Sequence, residues 1–401
     1  MKRYTISCFL LVACFYSACI AQSDSIPIAL EIGLNGHVGR LVKIHGEYPE
    51  NDISTIIELH AGWHLNGSKA WHSNFRNPIA GLSLLHAQFG NQDILGQAIG
   101  AIPSIRFERW HNNTRWSWRA GLGIAGFNKP YDVIDNPRNL VIGSRFTNMT
   151  LLRIEMSKPL TKKLHFSLGM SYTHCSNAHI AVPNIGANLI SLTAGISFCD
   201  HPQHLNRNRN YSKPARVIDE WEAGAHLIFG IHEFQGTVRP VNGPTYFVYG
   251  ENIHVSKTLR PGRKFSMGLN HHYYTSYYDY MLSQELFPPG TKIRRNAHNV
   301  VAYLGYEWTY GRTAFFLEAG LNIFNPFVQQ INKVWDLPKH GLIYLYSANK
   351  IGYRFYFTCP ENSNTGKLRP YISVAVKTNG GTADFLEFAL GANIKRRKNP
   401  H

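Results

Sequence analysis

The chain has 401 residues, 44% of them hydrophobic, which is enough apolar material for ordered structure and excludes disorder as its organising state. Its 41 Lys and Arg outweigh 25 Asp and Glu to a formal charge of +16. No zinc finger, basic zipper or RNP-like stretch accompanies that charge, so nucleic acid is set aside as a partner and an anionic lipid surface is favoured.

In chain order, Lys2 and Arg3 precede an apolar run from Ile6 through Cys19, and Ala21 stands before Gln22. This is the pattern of an export signal over residues 1–21, cleaved after Ala21; the alternative is a lipobox ending at Ser17-Ala18-Cys19, with lipid on Cys19. Loss of the signal lowers the charge by two, to +14. Beyond it only Cys175, Cys199 and Cys359 remain, too few and too scattered for a disulfide framework. The 20 histidines show no H-E-x-x-H and pair with no C-x-x-C spacing, and His271 and His272, being adjacent, point to opposite faces of a strand. No metal and no cofactor is expected.

Past the signal no apolar stretch is long enough for a transmembrane helix. Short alternating segments rich in aromatic and β-branched residues recur instead, separated by turn residues, which is the pattern of an antiparallel outer-membrane β-barrel. Residues 22–198 hold eight: Ile26 to Val38, Ser54 to Leu65, Ile79 to Gln88, Ala98 to Trp110, Ser117 to Phe127, Phe146 to Lys158, Leu164 to Thr173 and Asn188 to Phe198. In the sixth, Leu152, Ile154 and Met156 alternate with Arg153 and Glu155, which are expected to pair in the interior. Residues 199–219 are polar and basic without periodicity and read as a linker. Residues 220–401 hold a second set of about eight: Trp221 to Phe234, Phe247 to Leu259, Lys264 to Tyr274, Asn299 to Tyr310, Ala314 to Phe324, Leu342 to Phe357, Pro370 to Thr378 and Phe385 to Lys395. The two sets end alike, LGMSYTHCSNA and NLISLTAGISF against ISVAVKTNGGTA and DFLEFALGANI, which reads as a duplication. In the second copy Asn379 stands near the place of His174 and nothing matches Ser176. The all-β chain is therefore expected as two related eight-strand sets, with two small barrels and one of sixteen strands both open.

Chemistry concentrates in Tyr172 to Asn188, YTHCSNAHIAVPNIGAN. Leu168, Met170 and Tyr172 share a parity that His174 and Ser176 continue, and Asn188, Ile190 and Leu192 share the corresponding parity of the next strand. Three polar residues thus fall on one apolar surface that a membrane barrel turns to lipid. Cys175 takes the opposite parity and reads as a small interior residue.

The stretch H-C-S-N-A followed by P-N-x-G and an alternating terminal strand resembles the PagL family of outer-membrane lipid A 3-O-deacylases. GLGIAGFN, NLVIGSRFTN and LRIEM fit the same pattern, and the resemblance covers roughly Ile26 to Phe198. NPIAGLSLLHAQFGNQDILGQAIG and KTNGGTADFLEF resemble the longer proteins called acyloxyacyl hydrolases. The resemblance implies an eight-stranded barrel in the outer membrane of a Gram-negative bacterium. Its active site would lie on the outer surface, with lipopolysaccharide lipid A as substrate partner and outer-membrane lipids around it. By motif position His174 is the general base and Ser176 the nucleophile, while Asn177 and Asn184 hold the loop and stabilise the oxyanion. The departure is at Asn188, where the family carries a glutamate. An amide can orient the imidazole but brings no charge to the imidazolium. That departure is the best argument for the other reading, a non-catalytic barrel with a structural or transport role.

Overall fold

The structure is a computed structural model that describes residues 29–200, 220–234, 236–238, 241–334, 346–359 and 368–395. The export signal, most of the 199–219 linker, the first residues of the segments expected from Ile26 and Leu342, and the basic C-terminal tail beyond Lys395 lie outside them. The chain divides into two compact units, and the expectation of antiparallel β structure holds in each.

In the first unit, β1 (Leu30–Leu41), β2 (Ser54–His64), β3 (Ile79–Gln88), β4 (Gln97–His111), β5 (Thr114–Phe127), β6 (Phe146–Pro159), β7 (Leu164–Ser176) and β8 (Ala187–Cys199) pair in sequence order. β8 closes on β1, with Val38 opposite Leu192. Alternation decides which side each residue takes. Leu34, Ile57, Leu84, Ile154, Met170 and Leu192 are exposed on the outside, the apolar band that lipid requires. The lumen is filled rather than open, as eight strands demand.

Two layers occupy that lumen. Toward the end where β1 begins and β8 ends, Glu58 accepts from Arg153 at 2.7 Å, from Ser83 at 2.6 Å and from Arg119, with His37 at 3.0 Å. Glu31 is bound by Arg106 at 2.7 Å and Arg115 at 2.9 Å. Arg153 also faces Glu155 at 3.0 Å, the pairing expected from their shared parity. Each buried carboxylate has cationic partners, the condition under which such burial is tolerated. Toward the other end, Ile56, Leu85, Met149, Leu151, Cys175 and Leu189 form an apolar plug. The connections after β1, β3, β5 and β7 lie at the plugged end; at the other end those after β4 and β6 are short, and that after β2 carries a short helix.

The second unit repeats the plan with β9 (Trp221–Glu233), β10 (Thr245–Arg260), β11 (Arg263–Tyr274), β12 (His298–Tyr310), β13 (Thr313–Phe324), β14 (Ser347–Tyr356), β15 (Leu368–Asn379) and β16 (Thr382–Lys395), closed between β16 and β9. Two eight-strand barrels, not one of sixteen, are the outcome. Its lumen carries ion pairs of Glu222 with Lys264 and Arg369, Glu387 with Lys350, and Glu307 with Arg354.

Short helices were not expected from the alternation: α1 (Ala70–Asn74) in the first unit, and α2 (Thr275–Ser283), α3 (Ile293–Asn296) and α4 (Pro326–Val334) in the second. They sit in connections and are held by packing more than by their own pattern. The Tyr277 ring of α2 stacks on Phe327 of α4 at 3.9 Å. A second difference bears on chemistry: β7 runs to Ser176, not Thr173. Asn148 to Thr150 of β6 supply it with partners that far, so His174 and Ser176 stand on the sheet rather than in the loop.

Candidate active site

The side facing the lumen is set by Ser171, whose hydroxyl bonds Ser191 at 2.7 Å and His37 at 3.0 Å inside the barrel. Residues of the other parity on β7, Tyr172, His174 and Ser176, therefore face outward, as do the exposed Leu168 and Met170. On β8 Asn188 lies directly opposite His174, and Ile190 directly opposite Tyr172. The three residues singled out in the sequence share the outward side of the wall at its plugged end, where Ser176 and Asn188 are buried and His174 is partly exposed.

His174 donates from Nδ1 to Asn188 Oδ1 at 2.8 Å. Tyr172 donates its hydroxyl to the same oxygen at 2.5 Å, and its ring lies nearly parallel to that of His174, with centroids 6.4 Å apart. Asn188 is also held through its backbone, since its carbonyl accepts from Val42 N–H at 2.7 Å. The bond at Nδ1 sets the tautomer and leaves Nε2 as the basic nitrogen.

Gly186 closes the loop onto this pair. Its φ is +82°, and a Cβ built there would lie 3.2 Å from His174 Cε1 and 3.5 Å from Ser176 Cβ, so both site residues border one small volume that only glycine leaves empty. Tyr48, from the loop after β1, donates to the Gly186 carbonyl at 3.3 Å; burial pushes its phenol above the ordinary range and keeps it a neutral donor. Asn177 N–H donates to Asn184 Oδ1 at 3.1 Å, and Asn177 Nδ2 to the Ala181 carbonyl at 2.9 Å. Both asparagines thus brace the loop.

The sequence reading missed two neighbours. Tyr172 has the right parity two residues before His174, a signal that was present but read only as an apolar position. Asn148 stands directly across from Ser176, its Oδ1 buried without a hydrogen-bond partner among the described residues; nothing local in β6 marks it. Below Asn188, a shallow groove of about 270 Å³ runs along the outer wall, lined by Val38, Arg40, Ile53, Met170, Ile190 and Leu192. Among the described residues no cluster of side chains suits a metal ion.

The lipid A 3-O-deacylase (PagL) family matches residues 55–197, a span that includes His174, Ser176 and Asn188. Among solved structures, the outer membrane enzyme PagL aligns at 16% identity over 41% of this chain and 97% of that chain, with a TM-score of 0.31. BamA from Haemophilus ducreyi lacking POTRA domains 1-3 aligns at 13% identity over 90% of this chain and 70% of that one, with a TM-score of 0.19. CdiB from Acinetobacter baumannii aligns at 9% identity over 92% of this chain and 60% of that one, with a TM-score of 0.17. No curated protein matches.

Proposed function

The first barrel is PagL-like and of the Gram-negative outer-membrane type, and on that premise we propose that it is a serine ester hydrolase that removes an ester-linked acyl chain from lipid A. The observation that carries the reading is the bond from His174 Nδ1 to Asn188 Oδ1 at 2.8 Å on the outward surface. It is the arrangement that makes Nε2 a base facing the side from which a lipid arrives.

In this mechanism His174 Nε2 takes the proton of Ser176 as the hydroxyl oxygen attacks the ester carbonyl. The tetrahedral oxyanion then collapses to an acyl-serine, the imidazolium returns its proton to the departing sugar oxygen, and water repeats the cycle to release the fatty acid. Asn188 orients the ring throughout, with Tyr172 bonded to the same amide oxygen. The loop braced by Asn177 and Asn184 is the proposed source of oxyanion stabilisation. The groove below Ile190 takes the acyl chain, running from the interface toward the membrane interior. Support for the placement is physical, because the ester bonds of a lipid lie at the interface and the site lies at the plugged end of the wall.

The uncharged Asn188 favours the second reading, a barrel that keeps the loop for structure alone. Mass spectrometry of lipid A from cells with and without the protein separates the two. Loss of one acyl mass only in cells carrying the protein supports hydrolysis, and identical spectra support the structural barrel.

A further inference from the structure

On the outer wall of the second barrel, three ionisable side chains form a hydrogen-bonded line among residues that face lipid. His271 donates from Nδ1 to Glu251 Oε1 at 2.7 Å, and its Nε2 is bonded to His298 Nδ1, also at 2.7 Å. The two imidazoles are nearly parallel at 8°. Register makes the line: Glu251 of β10 is directly opposite His271 of β11, and His298 of β12 directly opposite Tyr273. His272 turns inward and is buried, so His271 faces out.

Depth can be read along the same strands. One outward position deeper than Glu251 and His271 come the exposed Ile253 and Leu269. One position nearer the loop end come Tyr249 and Tyr273, and Tyr249 packs with Phe229 at 5.8 Å and Phe247 at 6.4 Å. An aromatic girdle over an aliphatic belt marks the membrane–water boundary, and the line lies at that boundary.

Ionisable groups on a lipid-facing wall are costly, and where they occur they point to function. Glu251 accepts only, so His271 carries its proton on Nδ1 and, when both rings are neutral, accepts at Nε2 from His298. That leaves His298 Nε2, which has no hydrogen-bond partner among the described residues. A proton taken up there makes Nε2–H a charged donor, while Nδ1–H still donates to His271 Nε2. Beside the pair, Glu251 of β10 bonds His271 and the Tyr273 ring of β11 lies 4.9 Å from His298, while Arg294 of α3 stands four residues before His298, in the connection that leads into β12. Next to Arg294, Arg295 lies over the Phe324 ring of β13 at 6.0 Å.

We infer that His298, backed by His271 and Glu251 and joined by Arg294, binds the phosphomonoester group of a lipid at that boundary. An imidazolium donor beside a guanidinium at the interface suits a compact dianion. The inference does not use the chemistry of the first barrel.

The test is native mass spectrometry of the full chain in detergent, loaded with phosphatidic acid, which carries a phosphomonoester, or with phosphatidylcholine, which does not. The wild type retains phosphatidic acid in preference, and His298→Gln and Arg294→Gln each reduce that retention about five-fold. Competition by inorganic phosphate supports recognition of the phosphate alone; survival of the complex supports recognition of the whole lipid headgroup. Equal retention of the two lipids by the wild type, or undiminished phosphatidic acid on the variants, overturns the assignment. Arg294 lies outside the sheet, so its variant decides the matter if His298→Gln fails to fold.

Discussion

Replacing Asn188 by glutamate restores the charge that the first barrel lacks, and its effect follows from the geometry. Asn188 Oδ1 already receives His174 Nδ1–H at 2.8 Å and the Tyr172 hydroxyl at 2.5 Å, so a carboxylate placed there inherits two donors that offset part of its desolvation. A unit charge about 4 Å from the imidazolium contributes on the order of 4 kcal/mol at an effective dielectric of about 20, equivalent to roughly a thousand-fold in rate. The extra methylene and the residual desolvation reduce this, and the expected gain in initial rate of fatty-acid release from purified lipid A lies between about ten-fold and a thousand-fold. Because the carboxylate favours the protonated ring, the acid limb of the pH–rate profile moves to higher pH in the variant. A folded Asn188→Glu barrel that works no faster than the wild type refutes His174 as a base oriented by residue 188.

Three further outcomes are expected. Tyr172→Phe removes one donor from Asn188 Oδ1 and lowers the rate about two- to ten-fold, in keeping with a net hydrogen-bond worth of about 0.5–1.5 kcal/mol, while urea unfolding stays near wild type. Gly186→Ala puts a methyl 3.2 Å from His174 Cε1 at a φ of +82°; the left-handed backbone costs about 1–2 kcal/mol, and hydrolysis falls more than about ten-fold in a barrel that still shows the gel mobility of the folded form. Glu58→Gln leaves Arg119 and Arg153 in the lumen without their carboxylate and destabilises the barrel by about 3–5 kcal/mol, read as a lower urea midpoint.

Most of the fold was legible because a strand with lipid on one side and a polar lumen on the other must alternate, and segments such as Ile190 to Phe198 do so without interruption. Local parity also carried the Arg153–Glu155 pairing and the shared face of His174, Ser176 and Asn188. What parity cannot convey is which strands meet. The assembly of Glu58 with Arg119 and Arg153 joins β2, β5 and β6, and the choice between two barrels and one depends on β8 returning to β1. The short helices escaped because segments such as TSYYDYMLS are too brief to show a helical period. Tyr172 escaped because an aromatic ring on a lipid-facing wall has a sufficient explanation without a site.

The central claim is that Ser176 and His174 hydrolyse an acyl ester. Its most direct test is mass spectrometry of purified lipid A incubated with wild-type protein, Ser176→Ala and His174→Ala. The account predicts loss of one acyl chain with the wild type and intact lipid A with either variant. Undiminished release by Ser176→Ala contradicts it, as does silence of both wild type and Asn188→Glu where a PagL enzyme is active.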